Sequence, residues 1–240
     1  MLPALVGLAW SALPTLSELA DRHGTDKSLH RGHGYVNLYG MLLDPHRDSV
    51  RNVTEIGVLY GQSVTMWAEY FANAHIWGLD IKLHPDAVRR ASSVPRIHLF
   101  ETNAQLVETP TQLQLVPESM DLVIEDASHS HAGTHAIAEA FWPLVKPGGL
   151  YVIEDVNAGG DKRGKYSHVG DRPGFASVAH NASGMLREIY LNNDVFYADT
   201  MLGIDVKHSR FAQEQMQKRW MHDVVNHNWH AVVIRKRAKA

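Results

Sequence analysis

Apolar residues change their spacing near residue 50. Over residues 16–22 and again over 35–43 they recur at three- and four-residue intervals, the spacing of one helical face. Gly24 is placed to end the first segment and Pro45 follows the second, because glycine reaches the left-handed conformation that closes a helix and the residue before proline leaves it. Beyond residue 50 the pattern becomes short apolar runs separated by helical stretches. Strands are predicted at 52–58, 75–81, 96–100, 120–125 and 150–153, with helices at 63–71 and 134–144. The run Asp121-Leu122-Val123-Ile124-Glu125 is apolar on both sides of the pleat, as a strand covered on both faces must be. The second helix stops at Lys146-Pro147-Gly148-Gly149. Further on, a helix is predicted over 175–191. An antiparallel hairpin is predicted from 221–225, an Asn226-His227-Asn228 turn and 229–235.

Strands that alternate with helices imply right-handed crossovers and a parallel sheet. The expected fold is therefore α/β and Rossmann-like: a mostly parallel seven-stranded sheet, closed by a terminal antiparallel hairpin, with helices on both faces. An N-terminal helical segment over 1–48 is expected to pack on a core domain over 49–240. A chain of 240 residues suits that plan.

Composition narrows the function. A net charge of −3 supplies no general attraction to nucleic acid or to an anionic membrane, so neither is expected as a partner. Cysteine is absent, which excludes disulfides, thiolate zinc sites and a cysteine nucleophile, and fits a cytoplasmic protein. The first ten residues, MLPALVGLAW, lack a basic leader and the run of about 20 apolar residues that a membrane span requires. A helix packed on the domain or on a partner subunit is expected instead, and a homo-oligomer with it.

The first strand leads into Glu55-Ile56-Gly57-Val58-Leu59-Tyr60-Gly61-Gln62-Ser63. Gly57 and Gly61 let the backbone turn tightly against a ligand, and Ser63 can cap the next helix. The second strand ends at Asp80, where an acid can accept hydrogen bonds from ribose hydroxyls. A pyrophosphate-binding dinucleotide site calls for G-x-G-x-x-G; the spacing here is E-x-G-x-x-x-G, which resembles motif I of S-adenosylmethionine methyltransferases, whose cofactor has no phosphate.

The fourth strand runs out into Asp126-Ala127-Ser128-His129 and the fifth into Glu154-Asp155. If the two strands are neighbours, about 4.8 Å apart, then Asp126, Glu154 and Asp155 converge. Three carboxylates crowd there only if a cation or protons compensate their repulsion. Oxygen ligands without sulfur favour Mg²⁺, with Mn²⁺ as the alternative. His129 is close enough in sequence to take a proton at such a site, and His131 competes for that role.

These segments carry a resemblance. Gly24-Thr25-Asp26-Lys27, residues 35–39, residues 55–63, Asp80, residues 126–129, residues 146–149 and Glu154-Asp155 are similar to the metal-dependent class I S-adenosylmethionine sugar O-methyltransferases of macrolide, glycosylated natural-product and mycobacterial polysaccharide pathways. The resemblance implies an S-adenosylmethionine cofactor held by Thr25, Asp26, Lys27, Glu55, Gly57, Gly61, Ser63, Asp80 and Asp126. It implies Mg²⁺ on Asp126, Glu154 and Asp155, and His129 as general base with Asp126 in the catalytic set. The acceptor would be a small-molecule glycoside or an oligosaccharide. The family often carries an acid and Gln after the third strand; here Glu101-Thr102-Asn103-Ala104 stands instead, with Asn103 as the adenine partner. A catechol O-methyltransferase, a nicotinamide-binding oxidoreductase and a non-catalytic nucleotide-binding protein are the alternatives.

Residues 157–174 hold five glycines, Pro173, and the polar or aromatic side chains Lys162, Arg163, Lys165, Tyr166, His168 and Arg172. A loop of that length is usually functional or disordered. A lid over the acceptor is expected, with Tyr166 stacking on a sugar face and His131 facing the same substrate.

Overall fold

The computed structural model describes residues 13–155, 184–199 and 230–238. In chain order the elements are α1 (Leu16–His23), α2 (Tyr35–Leu43), β1 (Asn52–Ile56), α3 (Gln62–Tyr70), β2 (His75–Asp80), α4 (Pro85–Ala91) and β3 (Ile97–Glu101). There follow α5 (Thr109–Gln112), β4 (Met120–Glu125), α6 (His131–Phe141), β5 (Val145–Ile153), α7 (Gly184–Asn192), β6 (Asp194–Asp199) and β7 (His230–Arg235). The seven strands form one sheet in the order β3-β2-β1-β4-β5-β7-β6. The first five are parallel; β7 runs antiparallel between β5 and β6. This is the expected mostly parallel α/β sheet with an antiparallel end.

Side-chain alternation along the strands builds two cores. Val53, Ile76, Leu122, Ile124, Val152 and Val233 face one way and pack under α1 to α4. Leu79, Val123, Tyr151, Ile153, Val232 and Ile234 face the other way, toward α6 and Ile189 of α7. The N-terminal helices belong to the first core: Leu16, Leu19, Tyr35, Val36 and Tyr39 pack with Val64 and Trp67 of α3. Thr15 and Glu18 form a reciprocal capping box at the start of α1, and Gly24 ends it in the left-handed conformation.

Three details depart from expectation. The strand beside β7 is β6, at Asp194–Asp199, a segment the apolar pattern did not single out; residues 221–225 lie outside the described residues. β7 has β5 on its other edge, so both of its hydrogen-bonding edges are taken. β5 starts at Val145 and runs through Lys146-Pro147-Gly148-Gly149, where a helix stop alone was expected. Ser63 does not cap α3: Gly61 is the N-cap, in the left-handed region at φ 81° and without a side-chain hydrogen bond, so Ser63 falls inside the first turn. Among the described residues no helix is long and apolar enough to cross a membrane.

Candidate active site

The chain leaves β1 toward β2 on one side, and β4 lies on the other. That reversal opens a crevice beyond the carboxyl ends of the strands, the place where open α/β sheets bind ligands. A cavity of about 700 Å³ occupies it, lined by residues that follow all five parallel strands. Gly57 after β1 sits at φ 96°, and a Cβ there would meet the Asp126 carbonyl oxygen at 2.0 Å. Only glycine lets the β1 and β4 loops approach so closely. Asp80 accepts hydrogen bonds at Oδ2 from the Val58 and Leu59 N–H groups (2.9 and 3.0 Å), so it pins the glycine loop. Its Oδ1 accepts from the Lys82 N–H at 3.1 Å.

The acids gather at the other end of the cavity. β4 and β5 are neighbours, with Glu125 opposite Ile153, so the residues that follow each strand meet. Asp126, His129 and Asp155 each present a ligand atom, and these atoms lie within 4.8 Å of one another. His129 Nε2 is 3.9 Å from Asp126 Oδ1. His129 Nδ1 has no hydrogen-bond partner among the described residues. His129 and Asp155 both hold positive φ, 47° and 52°. Such backbone costs about 1–3 kcal/mol per residue and persists where surrounding contacts impose it.

Beneath the cluster lies Lys27, fully buried. Its ammonium is 2.6 Å from Asp126 Oδ2, 2.6 Å from Glu154 Oε2 and 3.4 Å from Glu55 Oε1. Burial opposes its charge, but Asp126, Glu154 and Glu55 outweigh that and hold its pKa well above the lysine value. Burial pushes Glu55 up to about 7 against the pull of Lys27. Burial likewise raises Asp155, with His33 opposing. Tyr39 donates to Glu154 Oε1 at 2.5 Å, and Tyr35 donates to Asp155 Oδ1 at 2.6 Å.

Residues 54–156, which span the glycine loop and every acid just described, match the model of a methyltransferase domain. The chain is also similar to named O-methyltransferases. It is 33% identical over 151 residues to the 8-demethyl-8-alpha-L-rhamnosyl tetracenomycin-C 2'-O-methyltransferase of Streptomyces olivaceus, covering 60% of this chain and 38% of that protein. It is 34% identical over 159 residues to the mycinamicin VI 2''-O-methyltransferase of Micromonospora griseorubida, covering 61% and 37%. The chain thus spans well under half the length of these curated relatives. Among solved structures it is similar to the MycE methyltransferase of the mycinamycin biosynthetic pathway, crystallised with Mg and SAH. One crystal form aligns at 32% identity over 60% of this chain and 37% of that one, with a TM-score of 0.51. Another aligns over 95% of this chain and 55% of that one at 24% identity and a TM-score of 0.63, a likeness of fold.

The fold places the sequence-predicted residues unevenly. Thr25, Asp26, Gly57, Ser63, Asp80, Asn103, Asp126, His129 and Asp155 all line the cavity. Asn103 already accepts the Gln105 N–H at Oδ1. Lys27 and Glu55, expected at the cofactor, do not reach the cavity. Both are buried under it, because the segment after Gly24 turns its lysine inward to meet the acids. Glu154, expected with Asp126 and Asp155, has both oxygens engaged by Lys27 and Tyr39 and lies outside the converging set. Gly61 shapes the start of α3. Tyr166 and the lid expected over 157–174 lie outside the described residues, as does the side chain of His131. Leu59, Tyr60 and Ile81 escaped the sequence reading. They are exposed apolar residues on the cavity wall, suited to pack on a planar base, and the only sequence signal was an apolar residue after each turn.

Asp80→Ala is expected to raise the Kd for S-adenosylhomocysteine, since it frees the Val58 and Leu59 N–H groups and loosens the glycine loop at the cavity wall. Calorimetric titration checks this; an unchanged Kd would place the cofactor elsewhere in the crevice.

Proposed function

We propose that the domain transfers a methyl group from S-adenosylmethionine to a sugar hydroxyl of a glycoside, oligosaccharide or glycosylated natural product, with Mg²⁺ as the required ion. One observation carries the reading: Asp126, His129 and Asp155 converge in the same cavity whose other wall holds Asp80 and the glycine loop. The names of the relatives, sugar O-methyltransferases among them, agree with it. The donor set fits a divalent ion: two carboxylates and an imidazole, no sulfur, and an excess of acid over the buried ammonium of Lys27. Asp126 and Asp155 would hold the ion and Glu154, through its bond to Lys27, would support them.

When bound, S-adenosylmethionine supplies an electrophilic methyl group and Mg²⁺ a Lewis acid that lowers the pKa of an acceptor hydroxyl. The chain's own residues do the rest. The start of α3 has no side-chain cap, so its free N–H groups suit the carboxylate of the cofactor's amino-acid end. Asp80 has a lone pair left for ribose. His129 would accept the proton that the acceptor hydroxyl gives up. A vicinal diol suits the arrangement, because two adjacent oxygens can reach one ion.

The test is a panel of glycosides and catechols incubated with S-adenosylmethionine and Mg²⁺ and followed by mass spectrometry. Glycosides are expected to gain one CH₂ unit as S-adenosylhomocysteine forms. Methylation of catechols alone would replace the sugar with an aromatic diol.

A further inference from the structure

Tyr35 begins α2, far in sequence from the acids and outside the segment matched to the methyltransferase model. It is completely buried. Its hydroxyl donates to Asp155 Oδ1 at 2.6 Å and accepts from the Asp155 N–H at 3.0 Å. One phenol therefore holds both the carboxylate and the backbone of the same residue. Asp155 needs holding. It lies two residues beyond the end of β5, at φ 52°, outside the strand ladder.

Tyr35 is itself well fixed. Gly34, left-handed at φ 70°, sets the start of α2, and the Val36 N–H donates to the Lys27 carbonyl at 3.1 Å. The His33 ring stands edge-on to the Tyr35 ring at 5.7 Å, with its Nδ1 3.6 Å from Asp155 Oδ1. Val36, Tyr39 and Leu43 anchor the helix in the core. A phenylalanine would fill the same space. A buried hydroxyl is retained at a desolvation cost, which its two bonds to Asp155 offset.

We propose that Tyr35 is a positioning residue for the metal site, aiming Asp155 into the space it shares with Asp126 and His129. The inference rests on the metal reading given above. Residues that orient a metal ligand typically matter about 10–100-fold in metal affinity.

The experiment is Tyr35→Phe, with Mn²⁺ binding followed by electron paramagnetic resonance and S-adenosylhomocysteine binding by calorimetry. The Mn²⁺ Kd is expected to rise roughly 10–100-fold while the S-adenosylhomocysteine Kd stays at its wild-type value. Turnover is expected to recover as Mn²⁺ is raised, since the reacting groups are intact. An unchanged Mn²⁺ Kd overturns the proposal. So does joint loss of metal and cofactor binding, or a turnover deficit that saturating Mn²⁺ does not relieve, because each points to general packing. If the wild-type domain binds no Mn²⁺, the metal reading itself fails. If it binds and Tyr35→Phe binds equally well, only the role of Tyr35 falls.

Discussion

Treatment with EDTA abolishes methyl transfer, and added Mg²⁺ restores it: this is the largest effect expected of the domain. Glu55, Asp126 and Glu154 surround the buried ammonium of Lys27, and Asp155 stands beside Asp126. The charge is unbalanced. Burial raises Asp155, so its charged form is disfavoured unless a cation compensates it. A divalent ion reverses that cost and supplies the acceptor's activation. Ions of this kind lower the pKa of a coordinated hydroxyl by several units, which no side chain in the cavity can match. Turnover should be measured after metal removal verified by elemental analysis. Full activity in the stripped protein would sink the site assignment.

The second large effect separates two residues three positions apart. His129→Ala is expected to lower kcat by roughly 10²–10⁴, the usual worth of a positioned general base, with S-adenosylhomocysteine binding retained. Asp126→Asn is expected to weaken Mn²⁺ binding first, and to loosen the Lys27 contact as well, because a neutral amide cannot balance the ammonium. His129 faces Asp126 and keeps Nδ1 free of partners among the described residues, which leaves its tautomer open for proton transfer. Steady-state kinetics with Mn²⁺ and acceptor varied separately distinguish the two. An inactive His131→Ala beside an active His129→Ala would move the base to the start of α6.

Most of the parallel sheet was readable along the chain. Strands β1 to β4 end within two residues of the predicted positions, because each is a short run of strand-forming residues bounded by turn residues. β6 was not readable. Asp194-Val195-Phe196-Tyr197-Ala198-Asp199 is a brief segment between acids, and its pairing depends on β7, more than thirty residues on.

The glycine loop was legible for a local reason. Gly57 and Gly61 satisfy backbone demands set by immediate neighbours in the chain, and Asp80 closes the next strand by the same rule. The convergence of the β4 and β5 ends was legible as a condition, and the sheet order meets it.

By itself, then, the sequence determined the alternation of strands and helices, the tight turn after β1, and the acids that follow β2, β4 and β5. These depend on spacing along a few residues. Only the tertiary structure decided which way those acids point. Glu154 and Asp155 are adjacent, yet one is held by Lys27, 127 residues away, and Tyr39, and the other by Tyr35, 120 residues away. Such partners meet because α2 packs across the strand ends, and burial then makes each carboxylate find a donor or remain uncharged. No local pattern carries that choice, since it belongs to whichever side chains the folded chain brings within hydrogen-bonding distance.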